Sequence, residues 1–248
     1  MIFYEFANLN LQLNHNQSLT LSAMATFLLI YTATAQASVC MVKDGQVLGC
    51  LETADQKSHA SFIQPAIETL INQTGITLNT LDAIGISLGP GSYTGLRVGM
   101  ATAKGIAYAT GKPLIGINTL QIIAAAAKAK HPNHNGSICA LLDARRMEVF
   151  TGIYAHNLEP LTNSTALILD AQSFENELAS TSILFVGDGA QKFMEICSHP
   201  NAIFDTTLSY SASDMIALTE KAFALTDFLD LAYSEPLYIK AFHDTRKV

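Results

Sequence analysis

The chain has 248 residues, 49% hydrophobic and 14% charged, a globular composition that excludes a disordered polymer and suffices for one large domain or two small ones. Its 14 basic and 21 acidic residues give a net charge of −7, so it lacks the footprint of a protein that grips nucleic acid unaided, and any RNA it serves is expected to be held by a partner. Mean hydropathy is +0.26, yet apolar runs such as residues 27–31 and the alanine run 124–127 fall far short of the roughly 18 residues of a membrane span.

Residues 1–23 are rich in Asn, Gln and Leu and are expected to lie outside a fold that begins at Met24. The first basic residue is Lys43, so the basic start of a secretory signal is missing and a cytoplasmic location is expected. Residues 27–31 and 38–42 read as strands, Asp44-Gly45 as a hairpin turn, and residues 46–51 as a third strand. Cys40, Cys50, Cys139 and Cys197 form no CxxC pair, so reduced thiols are expected rather than a disulfide or zinc site. A helix follows, capped by Ser58 or by Ser61, which forms a capping-box pattern with Gln64. Phe62, Ala66, Leu70 and Ile63, Ile67, Ile71 recur every four residues and make its apolar stripe. Pro65 is expected in its first turn.

Residues 83–88 form a buried strand that runs into Gly89-Pro90-Gly91-Ser92-Tyr93-Thr94-Gly95 and out into a helix over 96–110, stopped at Gly111. A strand over 114–117 leads to a helix capped by Thr119 and carrying an alanine run. The loop 131–136 is a boundary, after which the pattern restarts. Residues 137–142 and 147–154 are strands around the turn Asp143-Ala144-Arg145-Arg146. Residues 183–186 are a strand that enters a helix through Gly187-Asp188-Gly189-Ala190, and residues 213–225 are the last long helix. The expected organisation is therefore an α/β lobe over 24–130 and a second over 131–248, whose C-terminal segment returns to the first, duplicated in architecture without a residue-level repeat.

The glycine loop is the most specific feature. Its strand-to-helix context suits a phosphate cradle, but it matches neither GxGxxG nor Walker A nor a nucleophile elbow, and a tight turn is an equal reading. In the following helix Gly95, Gly99, Ala103 and Ala107 share one stripe, and Ala101, Gly105 and Ala109 a neighbouring one. Helical glycine costs about 1 kcal/mol relative to alanine, so close approach on both sides is implied: packing of both stripes within the domain is the first reading, and the sharper one sets one stripe inside and the other against a partner subunit. No two of the seven histidines stand at the i, i+4 spacing of a helical metal pair. His131 and His134 lie in a loop, and no metal site is expected. Asp143 ends a strand beside Arg145, Arg146 and Glu148, a place for a Mg²⁺ ligand or for surface ion pairs.

The run Gly89-Pro90-Gly91-Ser92-Tyr93-Thr94-Gly95-Leu96-Arg97-Val98-Gly99, continued through Ala103-Lys104-Gly105, resembles the signature of the TsaB (YeaZ) family. PLIGINTL at 113–120 and LDARRMEVF at 142–150 match it too, and EPLYIK at 235–240 resembles the family's C-terminal ending, with Lys240 where Arg is usual. The resemblance implies the actin and sugar-kinase ATPase fold with two ribonuclease-H-like lobes. It further implies a non-catalytic role in making threonylcarbamoyl-adenosine in tRNA, by dimerising with and activating the TsaD transferase, joined by the ATPase TsaE. On that pattern the chain has no catalytic residue, no metal and no intrinsic cofactor. ATP and Mg²⁺ enter only at the level of the complex, tRNA is met only through the complex, and a homodimer is one of the states open to the chain alone.

The expected interface is Phe62, Ile63, Ala66, Leu70, Gly95, Gly99, Ala103 and Ala107, with Gly99→Leu abolishing pairing while the monomer stays folded. Relatives carry an acidic residue before Thr in the first-strand motif, where this chain has Tyr31 in Tyr31-Thr32-Ala33-Thr34, and a phenol does not ligate Mg²⁺ there at neutral pH. The rival within the same superfamily is a catalytic ATPase or kinase using Asp143 or Asp188 with Mg²⁺. Candidate nucleotide contacts are Gly91, Ser92, Asp143, Gly187, Asp188 and Gly189. A metallopeptidase is a third reading, opposed by the missing histidine pair.

Overall fold

β1 (Thr26–Tyr31) is buried at every position, the mark of a central strand covered on both faces. In the computed structural model, which describes residues 25–55 and 59–240, β2 (Ala37–Lys43) and β3 (Gln46–Thr53) follow it antiparallel. β4 (Ala83–Gly89) and β5 (Leu114–Asn118) add parallel on its other side, giving a five-stranded sheet of order β3-β2-β1-β4-β5. The expected start at Met24 lies outside the described residues.

The second sheet repeats this plan. β6 (Ser137–Asp143), β7 (Glu148–Tyr154) and β8 (Thr165–Ile168) are antiparallel, and β9 (Ile183–Val186) and β10 (Ala202–Asp205) run parallel beside β6, giving β10-β9-β6-β7-β8. Each sheet thus has its first strand in the middle, a hairpin pair on one side and two parallel strands on the other. That is the duplication expected of a two-lobed ribonuclease-H-like fold. Sequence reading missed β8 and β10, both edge strands, because an edge strand buries little and its apolar pattern is weak.

The helices refine the expectations. α1 (His59–Thr74) starts before Ser61, so Ser61 is not its cap and Pro65 lies in the second turn rather than the first; Ser58 lies outside the described residues. The start is held by His59, whose Nε2 lies 3.1 Å from the Ala35 carbonyl. α2 (Tyr93–Thr110) is capped by Ser92, whose Oγ accepts from the Gly95 N–H, and ends at Gly111 in the left-handed conformation. α3 (Thr119–Lys130) is capped by Asn118 rather than Thr119. α4 (Glu175–Ser180) and α5 (Ala190–Met194) are short. The last helix divides into a 3₁₀ turn over 212–215, closed by a Ser211/Asp214 capping box, and α6 (Ile216–Ala224).

Three apolar clusters result. α3 lies between the sheets, where small alanines let strands approach from both sides; Ile122, Ile123, Ala124 and Ala127 meet Ile117, Ile138, Leu142 and Val186. α1 and α2 cover the outer face of the first sheet through Ile63, Leu70, Met100 and Ala103. α4 and α5 cover the outer face of the second, where Phe174, Phe185, Phe193 and Phe204 pack ring against ring at 4.9–5.8 Å. After α6 the chain crosses back to the first lobe as a strap. Leu229 N–H donates to the Leu114 carbonyl and Leu237 N–H to the Leu88 carbonyl, each at 2.8 Å.

The expectation of reduced thiols fails at two of the four cysteines. Cys40 and Cys50 are joined by a disulfide, because the β2–β3 register sets them directly opposite, with Cα atoms 4.1 Å apart. A spacing of ten residues does not reveal that opposition. Cys139 and Cys197 remain free, and burial pushes the Cys139 thiol up to about 12.

Candidate functional site

The glycine loop serves the chain itself. Gly89 faces the strap, and a Cβ there would lie 2.5 Å from the Leu237 carbonyl oxygen; a Cβ on Gly91 would collide with the Ala33 carbonyl. Both glycines are therefore required by close backbone approach. Three donors of the loop and the helix start are also used internally. Ser92 N–H donates to the Ala33 carbonyl at 2.7 Å, Gly95 N–H to Ser92 Oγ at 3.3 Å, and Leu96 N–H to the Ser92 carbonyl at 2.8 Å.

Beside the loop, the 32–36 turn faces the second lobe across a cleft of about 240 Å³ lined by Thr34, Ala35, Gln36, Gly187, Asp188, Thr206, Leu208 and Tyr210. Of the candidate nucleotide contacts, Gly187 and Asp188 line this cleft, whereas Gly91, Ser92, Asp143 and Gly189 do not. Gly189 is buried, its N–H spent on the Leu141 carbonyl at 2.9 Å. Tyr31 is fully buried next to the cleft and meets the Tyr210 ring edge-on at 6.1 Å. Burial, then the neighbouring Tyr210, raises its phenol well above the ordinary range, so it stays neutral and offers no anionic ligand.

Across the cleft, Asp188 Oδ1 accepts the Asp143 N–H at 2.7 Å. Desolvation pushes the Asp188 carboxyl upward, and the Asp143 carboxylate adds to this against the opposing pull of that backbone bond and of Lys192. Asp143 is itself engaged: Oδ1 lies 2.8 Å from Lys192 Nζ and accepts the Arg145 N–H. The two carboxylates named for Mg²⁺ are thus brought together, but one is neutralised by lysine. Among the described residues no group of three or more His, Cys, Asp or Glu is placed to hold a metal ion, and no helix is long and apolar enough to cross a membrane.

The model of the TsaD family, tRNA N6-adenosine threonylcarbamoyltransferase, matches residues 46–236. The chain is 27% identical over 219 residues to the tRNA threonylcarbamoyladenosine biosynthesis protein TsaB of Escherichia coli, covering 86% of this chain and 94% of that one. It is 37% identical to the Haemophilus influenzae TsaB over 125 residues, about half of each chain. Its fold superposes on YeaZ from Pseudomonas aeruginosa with a TM-score of 0.76 at 25% identity, covering 87% of this chain and all of that one. The chain belongs to this family, on its TsaB (YeaZ) branch.

Of the two stripes of α2, the one expected at the interface faces inward. Gly95, Gly99, Ala103 and Ala107 are buried, facing the chain's own sheet: a Cβ on Gly95 would collide with the Thr32 carbonyl, and one on Gly99 with Thr32 Oγ1. Ile63, Ala66 and Leu70 of α1 are buried in the same cluster, and Phe62 is half-buried against it. The expected interface residues are therefore the inner face of the helical layer, and Gly99→Leu would disrupt the monomer itself. The exposed stripe of α2 is Thr94, Arg97, Ala101, Gly105, Tyr108 and Ala109. Gly105 has nothing within 4 Å of a would-be Cβ, and Tyr108 is 83% exposed. Spacing located both stripes, but the choice between them needed the position of the sheet.

The C-terminal segment, expected to return to the first lobe, frames this stripe through contacts that the sequence did not name. Lys104 Nζ donates to the Ser234 carbonyl at 3.0 Å and the Ala232 carbonyl at 3.3 Å, pinning the strap along α2. Tyr238 on the strap lies 5.1 Å from Tyr93, and Arg97 stacks over Tyr93 at 5.0 Å while donating to its hydroxyl at 2.6 Å. The LYIK ending was the available signal for the strap.

Proposed function

We propose that this chain is a non-catalytic subunit of tRNA threonylcarbamoyladenosine biosynthesis, pairing with a transferase of the TsaD type and holding it in an active arrangement. The observation that carries the reading is the bare outer stripe of α2 on a chain of the TsaB branch. An 18-residue helix presents Ala101, Gly105 and Ala109 outward with Tyr108 standing beside them, a surface on which another helix can pack at short axial distance. The neighbouring outer face of α1, with Gln64, Pro65 and Glu68 exposed, widens the same platform. The neutral Tyr31 and the lysine-paired Asp143 fit a subunit that supplies no catalytic group, with ATP and Mg²⁺ used elsewhere in the complex. A TsaE-type ATPase joins the assembly, and in the absence of the transferase a second copy of this chain covers the platform.

Co-purification with the same organism's TsaD-type transferase tests this. Gly105→Glu places a charge in open space, so the variant is expected to fold with an unchanged melting temperature and to lose the transferase from the eluted complex. Retention of the transferase by a folded Gly105→Glu, Tyr108→Ala double variant overturns this docking surface. Failure of the wild type to retain it overturns the function.

A further inference from the structure

The hairpin between β6 and β7 is closed by Ala144 N–H donating to the Glu148 carbonyl at 3.0 Å and Glu148 N–H donating to the Arg145 carbonyl at 3.1 Å. Its tip carries Arg145 at φ 73° and Arg146 at φ 51°, left-handed positions that favour Gly, Asn or Asp. Turn chemistry alone does not call for two arginines there. Both are exposed. The adjacent carboxylates are already engaged, Asp143 with Lys192 at 2.8 Å and Glu148 with Lys240 at 2.5 Å. Neither arginine side chain has an ion-pair partner among the described residues. Four cations from three separate stretches of an acidic chain therefore converge on one tip, and the two without a carboxylate are adjacent guanidinium forks, the donor geometry suited to phosphate oxygens.

We propose that Arg145 and Arg146 are the site at which this chain contacts the phosphate backbone of tRNA, an inference that rests on the function proposed above. A chain of net charge −7 repels RNA over most of its surface, so its contact must be local and built from cations that no neighbouring carboxylate cancels. Phosphate contacts of this kind add affinity and orientation without reading sequence.

The test uses the complex reconstituted with the TsaD-type transferase, a fluorescein-labelled unmodified tRNA transcript, and anisotropy titrations between 50 and 200 mM salt, values of the order over which such contacts weaken. The Arg145→Asn, Arg146→Gly double variant gives the turn the residues its backbone prefers. It is expected to melt no lower than the wild type, to retain the transferase, and to bind tRNA about tenfold more weakly. The slope of log affinity on log salt should fall by about 1.5, the release of roughly two counterions. The Arg145→Lys, Arg146→Lys variant should keep most of the slope. Unchanged affinity and slope in a complex that still co-elutes overturn the inference alone. Loss of the transferase from the double variant also overturns it, since the arginines would then be protein contacts. Failure of the wild type to co-elute removes the function on which it rests, and the inference with it.

Discussion

The two lobes share one strand order, yet their outer faces are closed in different ways. The first sheet is covered by helices of 16 and 18 residues, the first through Ile63, Ile67 and Leu70 and the second through a stripe of glycine and alanine beside Leu96 and Met100. The second is covered by helices of 6 and 5 residues, and four phenylalanine rings fill the remaining space. Long helices leave long, regular outer faces, and α2, small along one inner stripe, lies close to its sheet. Short helices over aromatic side chains complete a core and leave little helical surface to offer. The same topology thus makes one lobe suited to docking and the other suited to closing on itself.

The strongest way to break this contrast is within the aromatic cluster. Phe185 is fully buried and touches Phe174, Phe193 and Phe204, so Phe185→Ala is expected to destabilise by about 4 kcal/mol, read from the urea midpoint. Gly99→Leu attacks the first lobe instead. Its side chain must enter the space of Thr32 Oγ1 and Ile86, at about 3 kcal/mol. Any loss of transferase binding should then follow the loss of folded monomer seen by circular dichroism, unlike the loss expected from Gly105→Glu.

Asp205 probes the junction between the central helix and the second sheet. It is 8% exposed and receives Lys130 at 2.7 Å and His131 at 2.8 Å. Burial raises its carboxyl, but the hydrogen bonds from Lys130, His131 and Thr207 outweigh burial and hold it below the usual carboxylate range. A folded-state value below the unfolded one means this stabilisation is present at neutral pH and is lost as pH falls below about 4. Asp205→Asn should lower stability by about 1.5 kcal/mol at pH 7 and flatten the acid limb of a stability–pH curve. The smallest effect is expected from Gly105→Ala, where a methyl enters open space on a helix. It should stabilise by about 0.7 kcal/mol and leave pairing intact, showing that the outer glycine is not needed by the monomer.

Strand and helix order were legible because hydrophobic periodicity is written in consecutive residues: β1, β4, α2 and β6 fall within a residue or a few of their expected ends. The edge strands β8 and β10 were not, since little of either is buried. Of the candidate nucleotide contacts, Gly187 and Asp188 line the cleft. Thr34, Gln36, Thr206 and Tyr210 join them only through contact between chain segments distant in sequence.

The residues from Gly89 to Gly105 carried the resemblance to the family, and with it the expectation of two lobes; Gly89, Gly91, Gly95 and Gly99 among them each answer a local steric demand of a turn or a helix face. Which stripe of α2 meets the sheet, whether Cys40 finds Cys50, and which lysine silences Asp143 were decided only by the tertiary structure. Each depends on a partner brought close by strand register or by chain return, and spacing along one segment carries no information about what the rest of the chain lays against it.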